Sequence, residues 1–241
     1  MIKKIFAIIV IIFISCENSK VNYENIFRYN EYSNISSLDP AFSSTLRNIW
    51  PCNQIFNGLV RMDNNLNVVP DIAETWTVSA DKKTYTFKIK NGIYFHESEY
   101  FENGQSRNVN AHDFEYSFNR LIDNDVASPG AWVMNNVESF EAINDSIFEI
   151  HLDNEFNSFL EILTMKYCSV VPKEVVQSLG NSFSKKPIGT GPFKFKRWDE
   201  NIKLVLVKNE NYHEFDQSGK RLPYLDAIST RFIPDKKSEF M

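Results

Sequence analysis

The sequence predicts an α+β fold, in the mixed α/β sense, and three observations lead there. Tyr85, Phe87 and Ile89 alternate with Thr86, Lys88 and Lys90, which is the period of a strand buried on one face. Ala111, Phe114, Phe118, Leu121 and Ile122 recur at helical spacing and give a helix one apolar face. Strands and short helices follow one another without regular βα alternation.

The elements follow in order. Ile26 to Tyr29 reads as a short strand, with a polar loop running on to Leu38-Asp39-Pro40. A helix is expected from Trp50 to Asn57, with Pro51 in its first turn and Gly58 as its stop. Leu59 to Met62 is a strand closed by the Asp63-Asn64-Asn65 turn, and Pro70-Asp71 opens a helical turn ending at Trp76. Asn91-Gly92 should then reverse the chain, so that Ile93-Tyr94-Phe95 pairs with the 85–89 strand as a hairpin. His96 would leave that sheet as a solvated or hydrogen-bonded edge residue, with no catalytic or metal role. Asn110 is an N-cap for the helix from Ala111 to Asp123.

Phe148, Ile150 and Leu152 form another alternating strand, and Phe156 to Met165 reads as a helix. Pro172 precedes a second helix ending at Gly180. Phe193 to Phe195 and Leu204 to Val207 flank the turn at Asp199-Glu200-Asn201 as a hairpin. Ile228 to Ile233 is a strand, Pro234 breaks it, and Asp235 to Glu239 is the first turn of a helix. The chain stops at Met241 before that helix shows an apolar face, so the unit reads as cut short.

Residues 1–15 form a leader. Met1-Ile2-Lys3-Lys4 is a positive n-region, and the ten apolar residues Ile5 to Ile14 suit a secretory h-region and are too few to span a bilayer. Ser15-Cys16 resembles a bacterial lipoprotein box, with Phe13 where the box prefers Leu, so Cys16 is the expected lipidation site and 16–25 a tether. The expected location is therefore outside the cytoplasm, on a membrane through a lipid anchor. Removing the leader takes two lysines and no acid, moving the net charge from −5 to −7. That balance offers no footprint for nucleic acid. Hydrophobic content of 43% is ample for a folded core. Beyond Cys16 only Cys52 and Cys168 remain, and buried free thiols are the preferred reading over a disulfide.

Little in the chain points to catalysis. Gly189-Thr190-Gly191-Pro192 is no phosphate loop, because Pro192 removes a donor and a strand follows it. His96, His112, His151 and His213 have no metal-ligand spacing, no G-x-S-x-G elbow is present, and the acids are scattered singly. The sequence thus predicts no enzyme, no cofactor and no metal.

Taken together, these stretches resemble a family. Trp76, Tyr85-Thr86-Phe87, Gly92, Tyr94-Phe95-His96 and then Asp113, Tyr116, Ser117 and Arg120 match the signature region of the family 5 extracellular solute-binding proteins. These are the oligopeptide- and dipeptide-binding components of ABC importers. SLDPAF (37–42), IFNGLVRMD (55–63), VPDIAETW (69–76), ASP (127–129), VPK (171–173), PIGTGPFKFKRW (187–198) and LPYLDAISTRFIPD (222–235) match in the same order. Glu97 to Ser106 departs from the pattern as an insertion.

The resemblance implies a type II periplasmic-binding-protein-like fold of the large peptide-binding subclass. It divides the chain into a first lobe segment at 26–58, an extra domain at 59–173 and a truncated return to that lobe at 174–241, with the second lobe missing. It implies a monomeric lipoprotein that captures peptides and delivers them to the ABC permease. Ser44, Leu46 and Arg47, in the loop after Asp39-Pro40, and Trp132, after Ser128-Pro129, are the implied ligand-binding residues. Relatives binding a nickel complex, haem, sugar or opine leave the solute open. Readings from other classes are a secreted hydrolase or peptidase with its catalytic residues in the missing half, and a structural surface lipoprotein.

Overall fold

The computed structural model describes residues 24–235. The leader, Cys16 and the helical turn expected beyond Asp235 lie outside the described residues. The elements are β1 (Ile26–Glu31), α1 (Leu46–Ile55), β2 (Val60–Met62), β3 (Val68–Pro70), β4 (Ala73–Val78), β5 (Thr84–Ile89), α2 (Ala111–Ile122), β6 (Val137–Asn144), β7 (Ile147–Leu152), α3 (Phe159–Leu163), α4 (Lys173–Leu179), β8 (Phe193–Asp199), β9 (Lys203–Lys208) and β10 (Ala227–Phe232). Single turns of 3-10 helix fill several connections.

They build an antiparallel two-stranded sheet of β2 and β3 and two four-stranded sheets. One has the order β1-β10-β9-β8, with β1 parallel to β10 (Ile26 opposite Ala227) and the other pairs antiparallel. The other is antiparallel, in the order β4-β5-β7-β6. Alternation decides the buried face of the second sheet: Tyr85, Phe87 and Ile89 of β5 and Phe148, Ile150 and Leu152 of β7 are all buried. α2 covers that face. Phe118 meets Phe148 edge-on at 5.4 Å and Phe140 at 5.7 Å, the arrangement that aromatic quadrupoles favour. The α2 start carries a complete capping box, the Asp113 N–H donating to the Asn110 side chain and the Asn110 N–H to the Asp113 carboxylate. Arg107 grips both Asp113 and Glu174, so α2 and α4 share one cation.

Several expectations need correction. The first helix starts at Leu46, a full turn before Trp50, because Thr45 accepts from the N–H groups of both Asn48 and Ile49. Pro51 therefore lies inside α1, where it denies the Arg47 carbonyl its usual i+4 donor, and Gly58 is not the stop. The segment at 70–76 is not helical: Pro70 ends β3, Asp71 and Ile72 bend the chain, and β4 begins at Ala73. The 93–95 segment does not pair with β5, since β4 and β7 already occupy both edges of that strand. It bonds instead to 107–109, through Phe95 N–H to the Arg107 carbonyl and Val109 N–H to the Ile93 carbonyl. Ile122 is exposed although the rest of the predicted α2 face is buried. The helix expected at 156–165 shrinks to α3 and a 3-10 turn at Lys166–Cys168. β6 was not foreseen.

His96 is only 2% exposed, so it is no solvated edge residue. Its backbone N–H donates to the Gly189 carbonyl at 2.7 Å. Its Nε2 bonds the Gly191 carbonyl at 2.9 Å, while Nδ1 accepts the Gly189 N–H at 3.4 Å. The two carbonyl and amide partners fix the neutral Nε2–H tautomer. Glu97 continues the junction by pairing with Lys194 at 2.9 Å and accepting from Asn211. The 189–191 turn itself lies against the end of α1, where a Cβ on Gly189 would stand 2.1 Å from the Ile55 carbonyl oxygen. Only glycine allows that approach.

Candidate functional site

A cleft of about 520 Å³ opens where α1, β2, the turn at Lys166–Cys168 and the 212–214 segment meet. α1 contributes Ile49 and Asn53, β2 contributes Arg61 and Met62, and the 3-10 turn contributes Lys166 and Tyr167. Ser43 closes one wall. It is 2% exposed, and among the described residues its Oγ has no hydrogen-bond partner closer than the Cys52 thiol, an unusual state for a buried hydroxyl.

The charges of the cleft differ in how far they are committed. Asp71 is buried and accepts two bonds from the Asn57 amide, at 3.0 and 3.1 Å, and one from the Gly58 N–H at 3.2 Å. Thr190 in turn donates to Asn57 Oδ1 at 3.0 Å, which fixes the amide orientation. Burial still pushes the Asp71 carboxyl above the usual carboxylate range, against the lowering effects of Lys166, Asn57 and His213. Glu214 pairs with Arg61 at 3.1 Å. Lys166 is half-buried and forms no ion pair within 4.0 Å among the described residues. Burial holds its amine below the ordinary lysine range, with Asp71 acting in the opposite sense. Two other depressions, of about 630 and 710 Å³, are lined by charges that are mostly spent on one another, such as Asp39 with Arg120 and Glu74 with Lys88.

Asp71, His213 and Glu214 also bring one ligand atom each within 4.8 Å of the others, a convergence that histidine spacing alone does not reveal. Arg61 on Glu214, and Lys90 and Lys166 around Asp71, make the group electrostatically poor for a cation. Cys52 and Cys168 are free and buried, and burial pushes both thiols up to about 12, which leaves them unreactive.

The four residues expected from sequence do not line the cleft. Ser44 is exposed and follows Ser43 directly, while Leu46 is exposed at the first turn of α1. The Arg47 guanidinium lies over the Tyr32 ring at 5.4 Å. Trp132 is 48% exposed on a 3-10 turn that two contacts hold in place. Ser128 Oγ donates to the Ala41 carbonyl at 2.6 Å, and Gly130 packs on Tyr167 so closely that a Cβ would fall 2.2 Å from the ring. Tyr167 belongs to the cleft wall, so the Trp132 turn borders it. Ser43 and Lys166 were missed; a lone Lys between Met165 and Tyr167 in an otherwise apolar run is the signal that could have marked the second.

The profile described as "Bacterial extracellular solute-binding proteins, family 5 Middle" matches residues 67–240. The chain is similar to di/tripeptide-binding protein 1 of Pseudomonas aeruginosa (strain UCBPP-PA14), 29% identical over 180 residues, covering 68% of this chain and 33% of the relative. It is 26% identical to the dipeptide-binding protein DppE of Bacillus subtilis (strain 168), covering 94% of this chain and 42% of the relative. Among solved structures, the ABC transporter-associated periplasmic binding protein DppA from Helicobacter pylori, in complex with peptide STSA, superimposes with a TM-score of 0.80 at 27% identity. That match covers 90% of this chain and 44% of the other, so the chain spans less than half the length of the relatives it matches. The mixed α/β architecture is that of the type II periplasmic binding proteins. The chain belongs to the bacterial extracellular solute-binding proteins, family 5.

Proposed function

We propose that this protein captures di- and oligopeptides outside the cytoplasmic membrane and hands them to the permease of an ABC importer. The observation that carries this reading is the agreement of the relatives: di/tripeptide- and dipeptide-binding proteins of different bacteria align with it, as does a binding protein solved with a peptide in place. The cleft suits such a role, offering a buried hydroxyl and an amine that has no ion-pair partner within 4.0 Å among the described residues. A ligand held largely through its backbone, with closure of a facing lobe, makes capture tolerant of side chains. In this reading the protein binds and releases its ligand without catalysing a reaction, and works as a monomer.

Ser44, Leu46, Arg47 and Trp132 are then contacts at the edge of the bound peptide. Residues 26–58 and the stretch from 174 onward form one lobe, and 59–173 an accessory domain. Cys16 carries the lipid that holds the receptor at the membrane.

Thermal unfolding in the presence of di- to pentapeptides tests the proposal. A peptide at about 100 times its Kd stabilises the native state by about 2.7 kcal/mol. That corresponds to a rise in Tm of roughly 5–10 °C for a protein of this size. Stabilisation by a free sugar or amino acid, with none by any peptide, would refute it.

A further inference from the structure

We propose that Lys166 is the counter-ion for a carboxylate of the bound ligand, with the Ser43 hydroxyl as a second donor beside it; this rests on the peptide reading above. Lys166 stands in the cleft wall on the 3-10 turn between α3 and the 169–172 segment. The two acids that line the cleft are otherwise engaged. Asp71 spends both oxygens on Asn57 and Gly58 and stays outside ion-pair distance, and Glu214 is held by Arg61. The amine is nonetheless drawn out of bulk water, a cost that a partner of opposite charge would offset.

Ser43 supports the same chemistry independently. Its Oγ is buried at the end of the 40–42 turn, which packs against the Lys166 turn, and among the described residues it has no hydrogen-bond partner closer than the Cys52 thiol, so it can donate to an anion; a buried hydroxyl left this poorly paired is unfavourable until something fills that role. An ammonium group would meet a poor site here, since Arg61 and Lys166 both line the cleft and its two carboxylates are already bonded. The chemistry therefore favours the acidic end or an acidic side chain of a peptide over its amino end.

The test is calorimetry on the protein as the cell makes it, with three probes: tri-alanine, tri-alanine amide, and a C-terminally amidated tripeptide with glutamate in the middle. The free acid should bind roughly 10- to 100-fold tighter than the amide, the range for a hydrogen bond to a charged group. Lys166→Met should erase that ratio with little change in affinity for the amide, and Lys166→Arg should retain most of it. Recovery of affinity by the glutamate probe would assign the carboxylate to a side chain; weak binding would assign it to the C-terminus. An acid-to-amide ratio unchanged by Lys166→Met, in a variant whose melting curve matches the parent, overturns the counter-ion while leaving peptide capture standing. Failure of all three probes to bind overturns both.

Discussion

Arg120→Ala should cost the protein about 3–5 kcal/mol of stability, the penalty for leaving one member of a buried ion pair without its partner. Asp39 is 2% exposed and Arg120 reaches it with both terminal nitrogens, Nη1 to Oδ1 at 2.8 Å and Nη2 to Oδ2. The guanidinium also lies over the Phe183 ring at 5.8 Å. Asp39 meanwhile accepts the Ala41 N–H at 3.0 Å, so the pair joins α2 to the loop that leads to α1. Truncating Arg120 strands a carboxylate that the fold cannot easily re-expose. With total stability on the order of 5–15 kcal/mol, the loss should lower Tm by roughly 10 °C or more. The double variant Asp39→Asn with Arg120→Met, which removes both charges, should recover a large part of the loss. Denaturant unfolding checks this; a loss below about 1 kcal/mol would mean that Asp39 finds solvent when Arg120 is gone.

Stability should also fall as the pH drops from about 6.5 toward 4, with His96 responsible for a separable share. Burial lowers the imidazole from its ordinary value of 6.5 to about 4, the bond to the Gly191 carbonyl only partly opposing it. Geometry explains the direction: Nε2–H already donates to Gly191, and Nδ1 faces the Gly189 N–H, so a second proton would set donor against donor. Between those two pH values the unfolded chain binds a proton that the native ring refuses, so acid favours unfolding. At 1.36 kcal/mol per unit the share approaches about 3 kcal/mol at the acid end of the window. His96→Gln, which cannot titrate there, should show a flatter stability profile than the parent through that interval. Parallel profiles would mean that the ring takes up its proton in the folded state.

Patterning in the sequence was most informative where one residue's neighbours settle its state. The 85–89 and 148–152 strands and the capped helix at 111 needed only alternation, helical spacing and Asn110. It was least informative where tertiary pairing decided the outcome. Asn91-Gly92 does turn the chain, but the place beside β5 belongs to β7, nearly sixty positions later, so the local hairpin cannot form. Pro51 pointed to a helix start because proline favours first turns, yet the first turn of α1 is set by Thr45 and the buried Asn48, which bonds Ser36 and the Phe42 carbonyl. The candidate site was legible only by neighbourhood: the motif SLDPAF led to Ser44, one residue from the buried Ser43, and ASP led to the Trp132 turn that abuts Tyr167. Lys166 was out of reach because its significance lies in the pairing of Asp71 and Glu214 with other groups, which no spacing encodes.

If peptide is held at the cleft between α1 and the 166–168 turn, as proposed, the four tryptophans can report on it directly. The turn that carries Trp132 packs on Tyr167 of that cleft's wall; Trp76 lies in β4 opposite Phe87, Trp198 donates to Asn34, and Trp50 faces the separate depression against β1. In protein labelled with 15N-tryptophan, and assigned through single Trp→Phe variants, saturating tri-alanine should move the Trp132 indole resonance and leave those of Trp76, Trp198 and Trp50 in place. Binding that shifts Trp76 or Trp50 while Trp132 stays still would put the peptide elsewhere on the molecule and contradict the account.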